Sequence, residues 1–172
     1  MSSEVDGEAL RQVMRWVPSP VTVVTAATPD EIRGITIGSF TSVSLDPPLI
    51  CFNVSDTSRM HPVICEVERF NVHVLSDRQV KLSTSFAEPE RGGKEQFQDV
   101  QYTLDPYGIP VLQRVVAQLA CKSHAVYPTG DHVMVVGRVC SIKVDERRRP
   151  LVFVQQGYFR LGQRIAAGKQ LL

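Results

Sequence analysis

Two stretches of the chain concentrate side chains able to bind or orient a small molecule. The first is GITIGSFTSVSL at 34–45, where bulky apolar residues alternate with small and hydroxylated ones. Read as one extended strand, it turns Ile35, Ile37, Val43 and Leu45 to a core face and Thr36, Gly38, Phe40, Ser42 and Ser44 to the other. That second face lets a flat ligand approach the backbone and offers hydroxyls to the polar edge of a heteroaromatic ring. A solvent-facing Ser/Thr strand would carry the same pattern. The second stretch is YPTGDHVMVVGRV at 127–139. A Pro and Gly turn delivers Asp131 and His132 to the mouth of a strand, where the carboxylate can orient the imidazole and the imidazole can donate to a ligand carbonyl. Between the two, NVSDTSRM at 53–60 sets Asn53, Ser55, Thr57, Ser58 and Arg59 ahead of a possible helix start. Such groups hold a phosphate or cap the helix.

Other chemistries lose support. No Ser–His–Asp ordering, H-E-x-x-H, G-x-G-x-x-G or G-x-x-x-x-G-K-[ST] pattern occurs, which argues against hydrolase, dinucleotide-fold dehydrogenase and P-loop readings. Cys51, Cys65, Cys121 and Cys140 form no C-x-x-C pair, so neither a metal site nor a redox dithiol is expected, and all four read as buried thiols. Lys plus Arg is 19 against 18 for Asp plus Glu, a net +1 that draws the chain to neither nucleic acid nor anionic lipid. The acidic start MSSEVDGEAL and the lack of an apolar run near the roughly 20 residues of a bilayer span point to the cytoplasm.

The elements that must position these residues follow from spacing. With 172 residues, 43% hydrophobic and 22% charged, the whole chain, 1–172, reads as one folded domain. Ala9, Leu10, Val13, Met14 and Val17 recur at helical spacing, predicting an amphipathic helix over 6–17 that Pro18 ends. β-branched runs follow at 21–27, 34–45, 49–54, 70–75, 115–127, 131–144 and 151–161, with short helices at about 60–67 and 79–87. Too few helices intervene for a parallel sheet. The expected fold is mainly β, an antiparallel Greek-key barrel with a few peripheral helices, since closure removes exposed edges. The triple arginine Arg147 to Arg149 reads as a solvated hairpin turn.

Taken together and in order, GITIGSFTSVSLDPPL, FNVHVL, YPTGDHVMVVGRV and PLVFVQQGYFRL resemble the flavin reductase family, over about residues 10–162. The likeness is greatest to the small reductase components of two-component flavin-dependent monooxygenases. The resemblance implies a split β-barrel homodimer that binds FMN or FAD, takes hydride from NADH or NADPH, and supplies reduced flavin to a monooxygenase. Matching positions place Thr36, Ile37, Gly38 and Ser39 along the flavin ring, with Ser42 and Ser44 on the same segment. Asn53, Ser55, Thr57 and Ser58 would meet the ribityl and phosphate, Phe86 and Lys94 the tail, and His132 and Tyr158 the nicotinamide. Two departures stand out: Ser19-Pro20 where the family often has a glycine, and His73 where it often has asparagine. A non-catalytic flavin- or haem-binding barrel is the alternative. An oxidase of the pyridoxamine-phosphate type is disfavoured, because no Arg and Lys cluster is visible for its dianionic substrate.

Overall fold

The computed structural model describes residues 5–89 and 91–166. Helix α1 (Gly7–Met14) starts at Asp6, whose carboxylate accepts the Ala9 N–H at 2.7 Å. It is shorter than 6–17, because Trp16 and Val17 close onto Val13 and Met14 in tighter turns as the chain approaches Pro18, before which helical backbone is disfavoured.

Strands then dominate. They are β1 (Ser19–Pro20), β2 (Thr22–Ala27), β3 (Ile32–Ile37), β4 (Thr41–Leu45), β5 (Pro48–Ser55) and β6 (Arg69–Val74), with helix α2 (Met60–Glu66) between the last two. Helix α3 (Val80–Ala87) and a 3-10 helix (Gly93–Phe97) lead to a small hairpin, β7 (Tyr102–Leu104) and β8 (Pro110–Leu112). Two long strands follow, β9 (Ala117–Thr129) and β10 (His132–Val144), then β11 (Leu151–Val154) and β12 (Gly157–Arg160). Every named ladder is antiparallel.

The main sheet runs β3-β2-β6-β9-β10-β5-β4, so the two edge strands are consecutive in sequence, joined only by residues 38–40. Six inter-strand steps across a flat sheet would separate the edges by about 28 Å. The connection spans at most about 14 Å. The sheet must therefore curl until its edges approach, and strand β2 is buried on both sides. Val24 and Ala26 join a core with Phe52, Ile64 and Phe70, while Val21 and Val23 join a second under α3 with Leu75, Phe86 and Phe97.

The segment 34–45 is not one strand. It breaks at 38–40, and past the break the alternation is reversed: along β4 Thr41, Val43 and Leu45 face outward, leaving Val43 53% and Leu45 69% exposed rather than in the core. The cysteines also differ from expectation: all are free, but only Cys121 is buried, Cys51 is half-buried, and Cys65 and Cys140 lie at the surface. Burial pushes the Cys121 thiol up to about 12.

His73, in place of the asparagine, is fully buried in β6. Its Nδ1 lies 3.1 Å from the Val23 carbonyl and its Nε2 accepts the Leu112 N–H at 3.2 Å. One nitrogen must donate and the other accept, so the ring is neutral and ties β8 to the sheet. Burial holds it at about 4, below the ordinary 6.5.

Candidate functional site

Three arginines distant in sequence meet around one cavity. It measures about 460 Å³ and opens between β3, the loop ahead of α2 and the C-terminal end of α3. Arg33, Arg59 and Arg91 line it, along with Ser55, Thr57, Ser58, Phe86 and Gln96. Arg33 reaches Glu31 through Nη2, while its Nε is buried with no hydrogen-bond partner among the described residues. Gly92 leaves room for the guanidinium groups, since a Cβ there would stand 3.1 Å from Arg59 Nη1 and 3.6 Å from Arg33 Nη1. A buried cation with an unused donor, facing hydroxyls across a concave wall, is a receptor for an anion, and a guanidinium suits a phosphate group best.

The loop hydroxyls are arranged locally. Ser55 Oγ and Thr57 Oγ1 lie 2.9 Å apart, and Ser55 also accepts the Thr57 N–H. Ser58 Oγ accepts the Met60 N–H, so the capping role coexists with the cavity-lining one. Gln96 is buried and bonds both the N–H and the carbonyl of Gly34, fixing the 3-10 helix to β3. Gly34 carries no side chain for a steric reason: a Cβ would lie 2.5 Å from the Phe86 ring.

Alongside the cavity runs a polar strip. Thr36 Oγ1 donates to the Ser83 carbonyl at 2.7 Å, and Ser83 Oγ lies 2.9 Å from the Tyr158 hydroxyl. Farther along, Ser39 Oγ accepts the Asn53 N–H, and Asn53 faces Met134 across the β5–β10 ladder. His132 pairs with Ser55 in the same ladder. Its position is set by the two-residue turn Gly130-Asp131, in which Gly130 holds φ +68°, a conformation that favours glycine. The turn is tied to the phosphate-type loop by the Asp56 N–H, which donates to the Asp131 carbonyl.

His132 Nδ1 lies 2.7 Å from Asp131 Oδ1. This hydrogen bond holds the Asp131 carboxyl below its usual range, and an ionised carboxylate only accepts. Nδ1 therefore carries the proton. Nε2 is left free to meet a ligand.

Ser55, Thr57, Ser58 and Phe86 thus share one cavity, with Thr36 and Tyr158 beside it and His132 at its Ser55 edge. Ile37 is buried, leaving only its backbone to a ligand, and Gly38 is exposed next to Ser19. Lys94 is exposed and outside the cavity wall, where Gln96 stands instead. Ser42 and Ser44 lie on the edge strand β4, also outside it. Sequence reasoning missed Arg33, Arg91, Ser83 and Gln96. Contrary to expectation, an arginine cluster exists; it was invisible as a run because its members sit on three separate segments.

A curled antiparallel sheet carries an arginine and hydroxyl cavity, chemically suited to an anionic group, next to a Thr, Tyr and His strip. Residues 14–162 match the family model described as Flavin reductase like domain. The chain is 37% identical over 157 residues to a flavin reductase of Pseudomonas putida, covering 91% of each protein. It is 37% identical over 155 residues to the reductase component of 4-hydroxyphenylacetate 3-monooxygenase of Thermus thermophilus, covering 90% of this chain and 96% of that one. A solved NADH:FAD oxidoreductase of Streptomyces globisporus, in complex with NAD and FAD fragments, superposes with a TM-score of 0.86 at 33% identity, over 96% of this chain and 100% of that one. The chain belongs to the flavin reductase-like family and is an oxidoreductase.

Proposed function

We propose that the chain reduces FMN or FAD with NADH or NADPH by hydride transfer and passes the reduced flavin to a separate monooxygenase. The observation that carries this reading is the unpartnered Nε of Arg33 in a cavity of three arginines, adjoining the Thr36, Ser83 and Tyr158 strip. Arg33, Arg59, Ser55, Thr57 and Ser58 would hold the flavin phosphate, and the backbone of 36–39 would face the ring. When bound, flavin supplies the electron-accepting ring, so the protein needs no strong acid or base of its own.

The side chains bind and orient. His132, held through Nδ1 by Asp131, presents Nε2 to hydrogen-bond the carboxamide of the donor, and Tyr158 is braced by Ser83 to wall the site. Positioning two rings at near-attack distance is itself worth several orders of magnitude in rate.

A homodimer suits the surface. No residue of α1 is buried, so Leu10, Val13 and Met14 lie uncovered by the rest of the chain, and Val43 and Leu45 stand exposed on an edge strand. A second copy would cover them and deepen an open site. Four free thiols suit a reducing cytoplasm, where nicotinamide donors are made.

The test is donor oxidation, followed in the near ultraviolet with each flavin and each nucleotide. Consumption that depends on added flavin is expected. Flavin binding without consumption by either donor would overturn the reading in favour of a storage or sensing protein.

A further inference from the structure

The triple arginine is not a free turn. The Asp77 N–H donates to the Arg149 carbonyl at 2.8 Å and Ser76 bridges to Pro150, so residues 145–150 are pinned against the Ser76–Gln79 turn that leads into α3. Together with the end of β12 they enclose a cleft of about 630 Å³ rimmed by Arg78, Arg147, Arg148, Arg149 and Arg160. Two carboxylates offset part of this charge. Asp145 holds Arg147 and Arg148, each at 2.9 Å, and Asp77 holds Arg160 at 3.3 Å. Among the described residues, Arg78 and Arg149 have no carboxylate within ion-pair reach. Five cations and two anions leave the cleft at +3, although the whole chain carries only +1. Like charges gathered in one concave wall repel, and a multiply charged anion relieves them.

The position of the cleft is as informative as its charge. Arg160 and Tyr158 are two residues apart on β12 and so point to the same side. Tyr158 reaches Ser83 in the middle of α3, Arg78 precedes that helix, and Phe86 at its far end lines the flavin cavity. The helix is about 12 Å long. The arginine cleft and the flavin cavity therefore lie at opposite ends of α3 with Tyr158 between them, a separation that one extended dinucleotide can span from its nicotinamide to its phosphates.

We propose that this cleft binds the phosphate groups of the adenosine half of the nicotinamide donor, and accepts the additional 2′-phosphate of NADPH. Arg78 and Arg149 are the principal ligands, since the other three guanidinium groups are already shared with Asp145 and Asp77. This rests on the reading of the chain as a flavin reductase, but its test does not depend on turnover.

The full-length protein is titrated calorimetrically with 2′,5′-ADP and with 5′-AMP, alongside an Arg78→Ala/Arg149→Ala variant whose fold is checked by circular dichroism. The wild type should bind 2′,5′-ADP more tightly than 5′-AMP, and the double variant should lose about tenfold or more of that affinity while FMN affinity is unchanged. In turnover, KM for NADPH should rise in the variant with kcat and the flavin KM unaltered. Absent 2′,5′-ADP binding by the wild type, or equal binding by the folded variant, overturns the proposal and leaves the cleft as a surface for an acidic protein. A protein that binds 2′,5′-ADP through these arginines yet oxidises no donor would retain the cleft and refute the reductase reading.

Discussion

His132 shows how one neighbour decides what a side chain can do. With Nδ1 committed to Asp131, only Nε2 is left for a ligand, and in the proposed reading removing the imidazole deletes one contact to the donor and none to the arginine cavity, whose wall His132 does not form. A neutral hydrogen bond is worth about 0.5–1.5 kcal/mol, so His132→Ala should lower kcat/KM for the donor by roughly 2- to 13-fold, with flavin affinity hardly changed. Steady-state kinetics with a separate flavin titration checks this. His73 makes the opposite case, a histidine whose chemistry is wholly structural. Its pKa is about 4 in the fold and about 6.5 in the open chain. Above pH 6.5 both states are neutral and its contribution is complete. As the pH falls from 6.5 towards 4 the unfolded chain takes up a proton that the fold refuses, and stability drops by about 3 kcal/mol at most. Urea unfolding at several pH values should show this loss in the wild type, and a flatter profile in His73→Asn, which offers a donor and an acceptor without titrating.

Among elements, α3 carries the most consequence, because its packing against β3 shapes the three-arginine cavity proposed to hold flavin. Gly34 and Phe86 are in closest approach there, and Phe86 is backed edge-on by Phe97 at 5.1 Å between centroids. The ring has nowhere to retreat. Gly34→Ala should therefore displace α3, cost roughly 1–3 kcal/mol by overpacking, and weaken flavin binding through loss of the cavity's shape. Thermal melting and flavin titration on the same sample measure the two effects. If stability falls and affinity does not, α3 does not shape the site. Gly137 is a comparable case in the other core: a Cβ there would collide with the Phe70 ring, which fixes glycine at the β10 irregularity.

For the molecule as a whole, uncovered apolar side chains set the expectation. Leu10, Val13, Met14 and Trp16 are each more than half exposed in one chain, and a helix with no buried residue gains little from staying folded alone. Light scattering should give a mass of about twice the 19.2 kDa chain. Leu10→Glu/Val13→Glu should shift it to monomer and weaken flavin binding together. A monomeric wild type with full flavin affinity would exclude a second copy from the site.

The strands and short helices were legible in the sequence because each rests on periodicity among near neighbours: FNVHV lies within β6, MHPVICE forms α2 and VKLSTSFA forms α3. The Asp131–His132 pair was legible for the same reason, since adjacent residues behind a Gly turn leave little to be decided by the rest of the fold. The β7–β8 hairpin was not, being two strands of three residues held by the His73 bridge and the Thr25 hydroxyl on the Pro110 carbonyl rather than by a pattern of their own. Nor was the fate of Val43 and Leu45, which the break at 38–40 reversed. The meeting of Arg33, Arg59 and Arg91, and the contact of Tyr158 with Ser83, belong to the tertiary structure alone. A sequence states which groups a site could use. Which of them converge depends on ladder register and on how tightly the sheet curls, and both are set by packing between residues far apart in the chain.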